Sequence, residues 1–436
     1  MELLEFLKKN KLNEGCEIEF EFKEELIRGT IIPTNTQNLT IKLDSGYNAG
    51  FEINKIKNIK KIKENNDIKQ TNKIIIKTNP ALPTISLLHT GGTIASRVDY
   101  KTGGVYASFK AEDMAAMFPE LLKIANFNPT LVSNIMSEDM TLQDYSKIAQ
   151  AVEKEIQNNS KGIIIGHGTD TLGYSAAFLS FALTNCPIPV IIVGSQRSSD
   201  RGSSDAAMNL ICASEFIVKS DFKGVAICMH DSTNDDYCAI LPATKTRKLH
   251  TSRRDAFKPV NDLPIAIVDY KKREVQLIKK ENKFLENNTF KLKEKYDEKV
   301  GLLKIYPGIS EKILEYYINE KYNGLIIEGT GLGHTPTGKN EIFIKKIEKL
   351  IQSGCVVAMT SQCINGRTNP NVYSTLRKLS KIGVIYCEDM LSETALIKLS
   401  WLLGNYKKEE AKKLLNQNIV GEISSFSRVD TFPQKN

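Results

Sequence analysis

Two glycine-linked threonine turns, each closing an apolar run, constrain this chain more than any other feature. One is His89-Thr90-Gly91-Gly92-Thr93-Ile94-Ala95-Ser96, following Ile85 to Leu88. The other is Gly166-His167-Gly168-Thr169-Asp170-Thr171, following Ile163 to Ile165. Short apolar runs bounded by turn residues read as buried strands, and glycine permits the sharp turn that must follow each. In an open α/β sheet, chemistry sits beyond the carboxyl ends of the parallel strands. A single Gly-Gly-Thr turn is most simply an ordinary strand-to-loop turn. Two of them, the second with an adjacent carboxylate, point to hydroxyls and an acid gathered at one sheet edge.

The pattern from Ile85 onward supports such a sheet. Strand 162–166, helix 173–184, strand 190–194, helix 204–218 and strand 224–230 alternate. A second series follows, with strands near 300–305, 324–328, 355–359 and 383–386 and a final helix near 391–403. This alternation predicts an α/β fold with mostly parallel sheets covered on both faces. Ahead of it, residues 12–60 alternate with period two: Ile18, Phe20 and Phe22, then Ile27 and Ile31, then Leu39, Ile41 and Leu43. These strands predict a small five-stranded β-barrel of the SH3 or Sm-like kind, a docking module or a bare scaffold. The expected organisation is a barrel over 1–75, a larger α/β domain carrying the site over 82–275, and a linker over 276–298. A smaller α/β domain over 299–404 and a C-terminal extension over 405–436 complete it. The lysine-rich run at 55–66 reads as a solvated linker face, and the charged stretch 271–298 as a connection between domains.

Composition excludes several classes. A hydrophobic fraction of 41% and a charged fraction of 25% are those of an ordinary globular protein. No apolar run approaches the roughly 20 residues of a membrane span, and MELLEFLKKN lacks a signal-peptide core, so a cytoplasmic location is expected. The eight cysteines form no CxxC pair and are expected as free thiols. A net charge of +8 is compatible with a polyanionic partner without identifying one. Neither GxxxxGK[ST] nor GxGxxG occurs, nor any HExxH or Cys/His spacing, so no nucleotide, dinucleotide or metal is expected on this chain.

A threonine hydroxyl attacks only when a neighbour takes its proton. His89 and His167 flank the turns, but a strand-end imidazole bonded to backbone is their simpler reading. A lysine is the other available base.

The two turns resemble the TGGTIA and HGTDT motifs of the asparaginase and glutaminase amidohydrolases, and further matches run over roughly residues 84–404. The resemblance implies a two-domain amidohydrolase with a Thr-Asp-Lys arrangement, whose lysine falls on Lys245 in Ala243-Thr244-Lys245-Thr246. It implies Thr93 as the nucleophile that forms an acyl-enzyme, although the sequence leaves the choice between the two threonines open. Tyr106, on a loop with Gly103 and Gly104, would close over substrate and hydrogen-bond Thr93, so that ordering of the 96–108 loop could gate activity. Thr169, Asp170 and Lys245 would form a proton-handling cluster, while Asp170 could equally cap the helix that follows. In Asn134-Ile135-Met136-Ser137-Glu138-Asp139, Ser137 would hold the substrate α-carboxylate and Glu138 its ammonium. Secreted asparaginases commonly have Gln at the position of Glu138.

Within that family, LDSGYNAGFEI at 43–53 and Lys245 to Phe257 are similar to the glutaminase subunits of archaeal tRNA-dependent amidotransferases. Such a chain would hydrolyse glutamine, with asparagine as the alternative amide donor, and supply ammonia for converting Glu-tRNA(Gln) to Gln-tRNA(Gln). It would form a homodimer within a heterotetramer, and the partner subunit, of the E type, would hold ATP and Mg. The basic side chains of the 245–257 run would meet a tRNA backbone or acidic partner surface, or close a subunit interface. Glu328 to His334 matches a glycine-rich segment that approaches a neighbouring subunit's site, with His334 where Asn is frequent. The alternatives are a stand-alone cytoplasmic asparaginase or glutaminase, and a noncatalytic RNA-binding protein on the same scaffold.

Overall fold

The computed structural model describes residues 3–13, 15–32, 34, 38–43, 48–63, 79–91, 96–98, 105–107, 120–197, 204–279, 289–338 and 340–432, with backbone alone at 48, 96–98 and 105–107. Thr93, the Tyr106 side chain, most of the 96–108 loop and the polar stretch after residue 63 lie outside these residues.

A helix that the sequence reading did not anticipate, α1 (Leu3–Lys9), precedes five antiparallel strands: β1 (Glu17–Phe22), β2 (Glu25–Ile31), β3 (Leu39–Leu43), β4 (Asn48–Phe51) and β5 (Ile56–Lys63). Their order is β4-β3-β2-β1-β5, and among the described residues no ladder joins β4 to β5, so the expected barrel is seen as an antiparallel sheet. Period-two alternation buries Ile18 and Phe20 of β1 with Ile31, Leu39, Ile41 and Phe6 of α1. Within the lysine-rich run read as a linker face, Ile56–Lys63 is strand β5. Its Lys57, Lys60 and Lys63 stand opposite Glu21, Glu19 and Glu17, pairs that favour the ladder and keep an edge strand polar.

The larger domain holds β6 (Thr84–His89), the hairpin β7 (Ser96–Val98) and β8 (Val105–Ala107), β9 (Asn126–Leu131), β10 (Gly162–Gly166), β11 (Pro189–Val193), β12 (Gly224–His230), β13 (Tyr237–Pro242), the hairpin β14 (Thr246–Lys248) and β15 (Phe257–Pro259), β16 (Ala266–Asp269) and β17 (Glu274–Leu277). Its main sheet runs β17-β16-β13-β12-β11-β10-β6-β9. From β9 to β12 every pairing is parallel; from β12 to β17 every pairing is antiparallel. The sheet is therefore mixed rather than mostly parallel, because the turn 231–236 between β12 and β13 is too short for a crossover. Part of the 271–298 stretch read as a connection is strand β17, an edge on which Glu274 and Gln276 face water. Phe290, Leu292 and Tyr296, farther along it, pack on the core.

Helices α2 (Leu142–Gln157), α3 (Leu172–Ala182) and α4 (Ala206–Lys219) cover this sheet. α2 starts in a capping box between Thr141 and Asp144. α3 is apolar all round, as a helix enclosed on every side must be. The smaller domain is a parallel sheet of β18 (Val300–Lys304), β19 (Gly324–Gly329), β20 (Val356–Ser361) and β21 (Ile385–Tyr386), with α5 (Ile313–Asn319), α6 (Ile342–Gln352), α7 (Ser374–Lys381), α8 (Ser392–Asn405) and α9 (Lys408–Leu415). One apolar core extends from Leu88 and Ile165 through Phe178 and Phe181 of α3 to Trp401 and Leu402 of α8 and Ile326 of β19. Phe181 stacks on Trp401 at 5.4 Å. The C-terminal residues are integral to this core: Ala411 and Leu415 of α9 are buried in it, and Glu422 meets Lys398 at 2.5 Å in a fully enclosed ion pair. All eight cysteines are free thiols, with Cys363 alone exposed. Among the described residues no helix is long and apolar enough to cross a membrane.

Candidate active site

Glycines let the two threonine turns nest at the carboxyl ends of β6 and β10. Gly91 has φ +105°, and a Cβ there would lie 2.5 Å from the Ile135 carbonyl oxygen, so backbone packs directly on backbone. Thr90 then spans to β10, its amide and hydroxyl both donating to the Gly166 carbonyl, while its own carbonyl accepts from the Ile135 amide at 3.0 Å. A Cβ on Gly168 would sit 2.7 Å from the Ser137 Cβ, and one on Gly194 would sit 2.8 Å from the Thr169 methyl. The turn carrying Thr169 and Asp170 is thereby pressed between the 134–139 segment and the end of β11. The Thr171 hydroxyl fastens it by donating to the Ser137 carbonyl at 2.6 Å. Gly91, two residues before Thr93, thus packs on the same segment as the turn that carries Thr169.

Both histidines have the structural role that the simpler reading gave them. His167 is buried; its Nδ1 donates to the Gly168 carbonyl at 2.6 Å and its Nε2 accepts from the Ser175 hydroxyl at 2.8 Å. Burial, opposed by a backbone hydrogen bond, pushes the His89 and His167 imidazoles down to about 4. Each is neutral at physiological pH.

The lysine at the site is Lys248. Its ammonium donates to the Thr169 hydroxyl oxygen at 2.9 Å and to the Asp170 carboxylate at 2.7 Å. Lys245, expected there from the sequence, is instead enclosed at the bend after β13 and donates to Asp389 at 2.6 Å. The physical reason lies in strand parity. Arg247 and Lys248 are adjacent on β14 and project to opposite faces, Arg247 to Glu393 of the smaller domain and Lys248 to the threonine turn. Pairing of Lys248 with Phe257, which is buried, fixes the hairpin register. Nothing in the sequence pattern distinguishes two lysines three residues apart; the register does. Asp170 is no helix cap: α3 begins after Thr171, and the carboxylate turns to Lys248.

The remaining predicted residues divide. Ser137 is buried against Gly168, whereas Glu138 is exposed on the same 3₁₀ turn, Ser137–Asp139. The Tyr106 backbone pairs with Arg97 in the β7–β8 hairpin. The basic run is largely committed internally. Arg253 forks onto Asp255 with two bonds of 2.8 Å, and Arg254 bonds Asp235 and the Thr233 carbonyl. These pairings leave it less a free cationic face than a stitched loop. His334 closes a turn by bonding backbone to Thr330, and its ring meets Tyr373 edge-on at 5.0 Å. Among the described residues, no group of three or more His, Cys, Asp or Glu is placed to hold a metal ion.

The arrangement is a hydroxyl and a carboxylate sharing one lysine at a sheet edge, and known proteins share its framework. Residues 84–283 match the profile of the asparaginase N-terminal domain, residues 299–415 that of the glutaminase/asparaginase C-terminal domain, and residues 12–62 that of the GatD N-terminal domain. The solved thermostable L-asparaginase from Thermococcus kodakarensis is similar with a TM-score of 0.70 and 30% identity, over 79% of this chain and all of that one. Similarity to the D-type subunit of glutamyl-tRNA(Gln) amidotransferase is broader. That protein from Pyrococcus abyssi is 45% identical over 99% of this chain and 100% of its own length, and its counterpart from Thermococcus kodakarensis is 48% identical over 91% of this chain and 89% of its own. The identity over nearly the whole length, leading sheet included, places the chain in the family of D-type glutamyl-tRNA(Gln) amidotransferase subunits, built on an asparaginase-type amidohydrolase framework.

Proposed function

We propose that this chain is the glutaminase subunit of a tRNA-dependent amidotransferase, hydrolysing glutamine so that a partner subunit can use the ammonia to convert Glu-tRNA(Gln) to Gln-tRNA(Gln). The observation that carries the chemistry is the lysine shared by Thr169 and Asp170; the reading is supported by similarity that extends through the N-terminal segment. In this reading Thr93 attacks the side-chain carboxamide carbon, ammonia leaves with a proton, and water then releases glutamate from the acyl-enzyme. Lys248 replaces Lys245 in the proton-handling cluster. By donating to the Thr169 oxygen it leaves the hydroxyl hydrogen free to face the water or the departing nitrogen, while Asp170 balances its charge. Ser137 and Glu138 hold the substrate α-carboxylate and ammonium, and Tyr106 completes the site from the β7–β8 hairpin. The chain acts in the cytoplasm as a homodimer within a heterotetramer, and ATP and Mg belong to the partner subunit, of the E type.

The test is Thr93→Ala in the assembled complex. Glutamine-dependent amidation is lost, while amidation from added ammonium salt persists. Equal loss with both nitrogen sources refutes the assignment. A stand-alone asparaginase is the second reading, favoured by the structural likeness over 79% of the chain. It predicts full hydrolysis by the isolated chain, with no response to partner or Glu-tRNA(Gln).

A further inference from the structure

We infer that Asp389 is a positioning residue for the reaction, acting through Lys245 to hold the strand that carries Lys248. The inference rests on the placement of Lys248 at the site and asks what keeps it there. The segment 244–248 is tied to the smaller domain at three successive points. The Thr394 hydroxyl donates to the Thr244 carbonyl at 2.9 Å, Lys245 donates to Asp389 at 2.6 Å, and Arg247 meets Glu393 at 3.3 Å. On its other face the same segment delivers Lys248 to Thr169 and Asp170.

Asp389 is itself held from several directions. Its second carboxylate oxygen accepts from the Ser424 amide at 2.9 Å, and its carbonyl accepts from the Asn261 side chain, which also brackets Gly366. The preceding residue, Glu388, has φ +55°, a conformation that a side chain other than glycine rarely adopts. That bend is fastened by Thr368, whose amide and hydroxyl both donate to the Glu388 carbonyl, and by Arg367 on its carboxylate. A turn held in a disfavoured conformation by this many bonds, aiming one buried carboxylate at one buried lysine, is what a positioning device requires. Surface lysines need none of it. The smaller domain therefore contributes to the geometry of a cluster made wholly of larger-domain residues.

The experiment is a double-mutant cycle on glutamine hydrolysis by the full chain assembled with its partner. Asp389→Asn lowers kcat about 10- to 100-fold with KM within about threefold, the signature of a misplaced reacting group. In a Lys248→Met background the same change lowers kcat less than about twofold further, because its effect runs through Lys248. Arg247→Gln loosens another tie at the half-exposed end of the segment, where the arginine side chain is 38% exposed, and shows the same loss and the same non-additivity in smaller measure. This second variant keeps the test alive if Asp389→Asn fails to fold. Equal losses in both backgrounds, or no loss, overturn the positioning role. A silent Lys248→Met overturns the reading of the site as well, so the two failures are distinguishable.

Discussion

Replacing Lys248 with methionine separates catalysis from stability, and the structure sets both magnitudes. The substitution keeps the aliphatic stem and removes one ammonium, together with bonds of 2.9 Å to Thr169 and 2.7 Å to Asp170. The carboxylate left behind is open to solvent, the Asp170 side chain being 65% exposed against 15% for Lys248, so loss of the pair costs about 1 kcal/mol of stability or less. Its catalytic effect is different in kind. A proton-handling group contributes about 10²- to 10⁴-fold, which corresponds to about 3 to 5 kcal/mol of barrier. Lys245→Met reverses the balance on the stability side. It strands the enclosed Asp389 carboxylate, and breaking such a pair from one side typically costs about 3 to 5 kcal/mol. The assay is steady-state ammonia release from glutamine for each variant, alongside urea denaturation. Lys248→Met keeps its unfolding midpoint close to that of the parent and loses turnover. A Lys248→Met chain with kcat within about threefold of the parent, or one that unfolds as readily as Lys245→Met, would falsify the assignment.

Acid titration should expose the two neutral histidines. Their folded pKa of about 4 lies below the ordinary value of 6.5, so the unfolded chain binds more protons between those limits. Their contribution is complete above pH 6.5 and is lost as pH falls toward 4, by about 3 kcal/mol for each. Denaturation midpoints across that window fall for the parent and fall less for His167→Gln; parallel slopes would contradict the neutral assignment. Lys398→Met, which leaves Glu422 enclosed with only backbone donors from Ile419 and Val420, should destabilise by about 3 to 5 kcal/mol, and Lys398→Met combined with Glu422→Leu should recover part of that loss. Urea titration decides, and a double variant weaker than the single one would show that the pair is more than a compensated charge.

The sheet edge was legible because its signals are local. Apolar runs ending in glycine turns located the ends of β6 and β10, and period two found most of the N-terminal strands. Three things were hidden. The antiparallel half of the main sheet went unread, although the polar turn 231–236 ahead of the apolar run Cys238 to Leu241 is a hairpin signal of the usual kind. Strand β5 was disguised by lysines, whose partners are glutamates far away in the sequence. Lys245 and Lys248 were interchangeable on the page, because what separates them is a hairpin register and a carboxylate at position 389. Long-range pairing of this sort leaves no local trace.

The continuous core through α3 and α8 bears on how such an enzyme can move. Two domains divided by a wet cleft open and shut about a hinge. Here a rotation of one against the other would pull the Phe181 and Trp401 rings apart and bring enclosed leucines into water. Motions that admit glutamine and release glutamate are accordingly those of loops over a fixed edge. The two amidohydrolase halves should also melt in a single transition, since the core between them is built from residues of both.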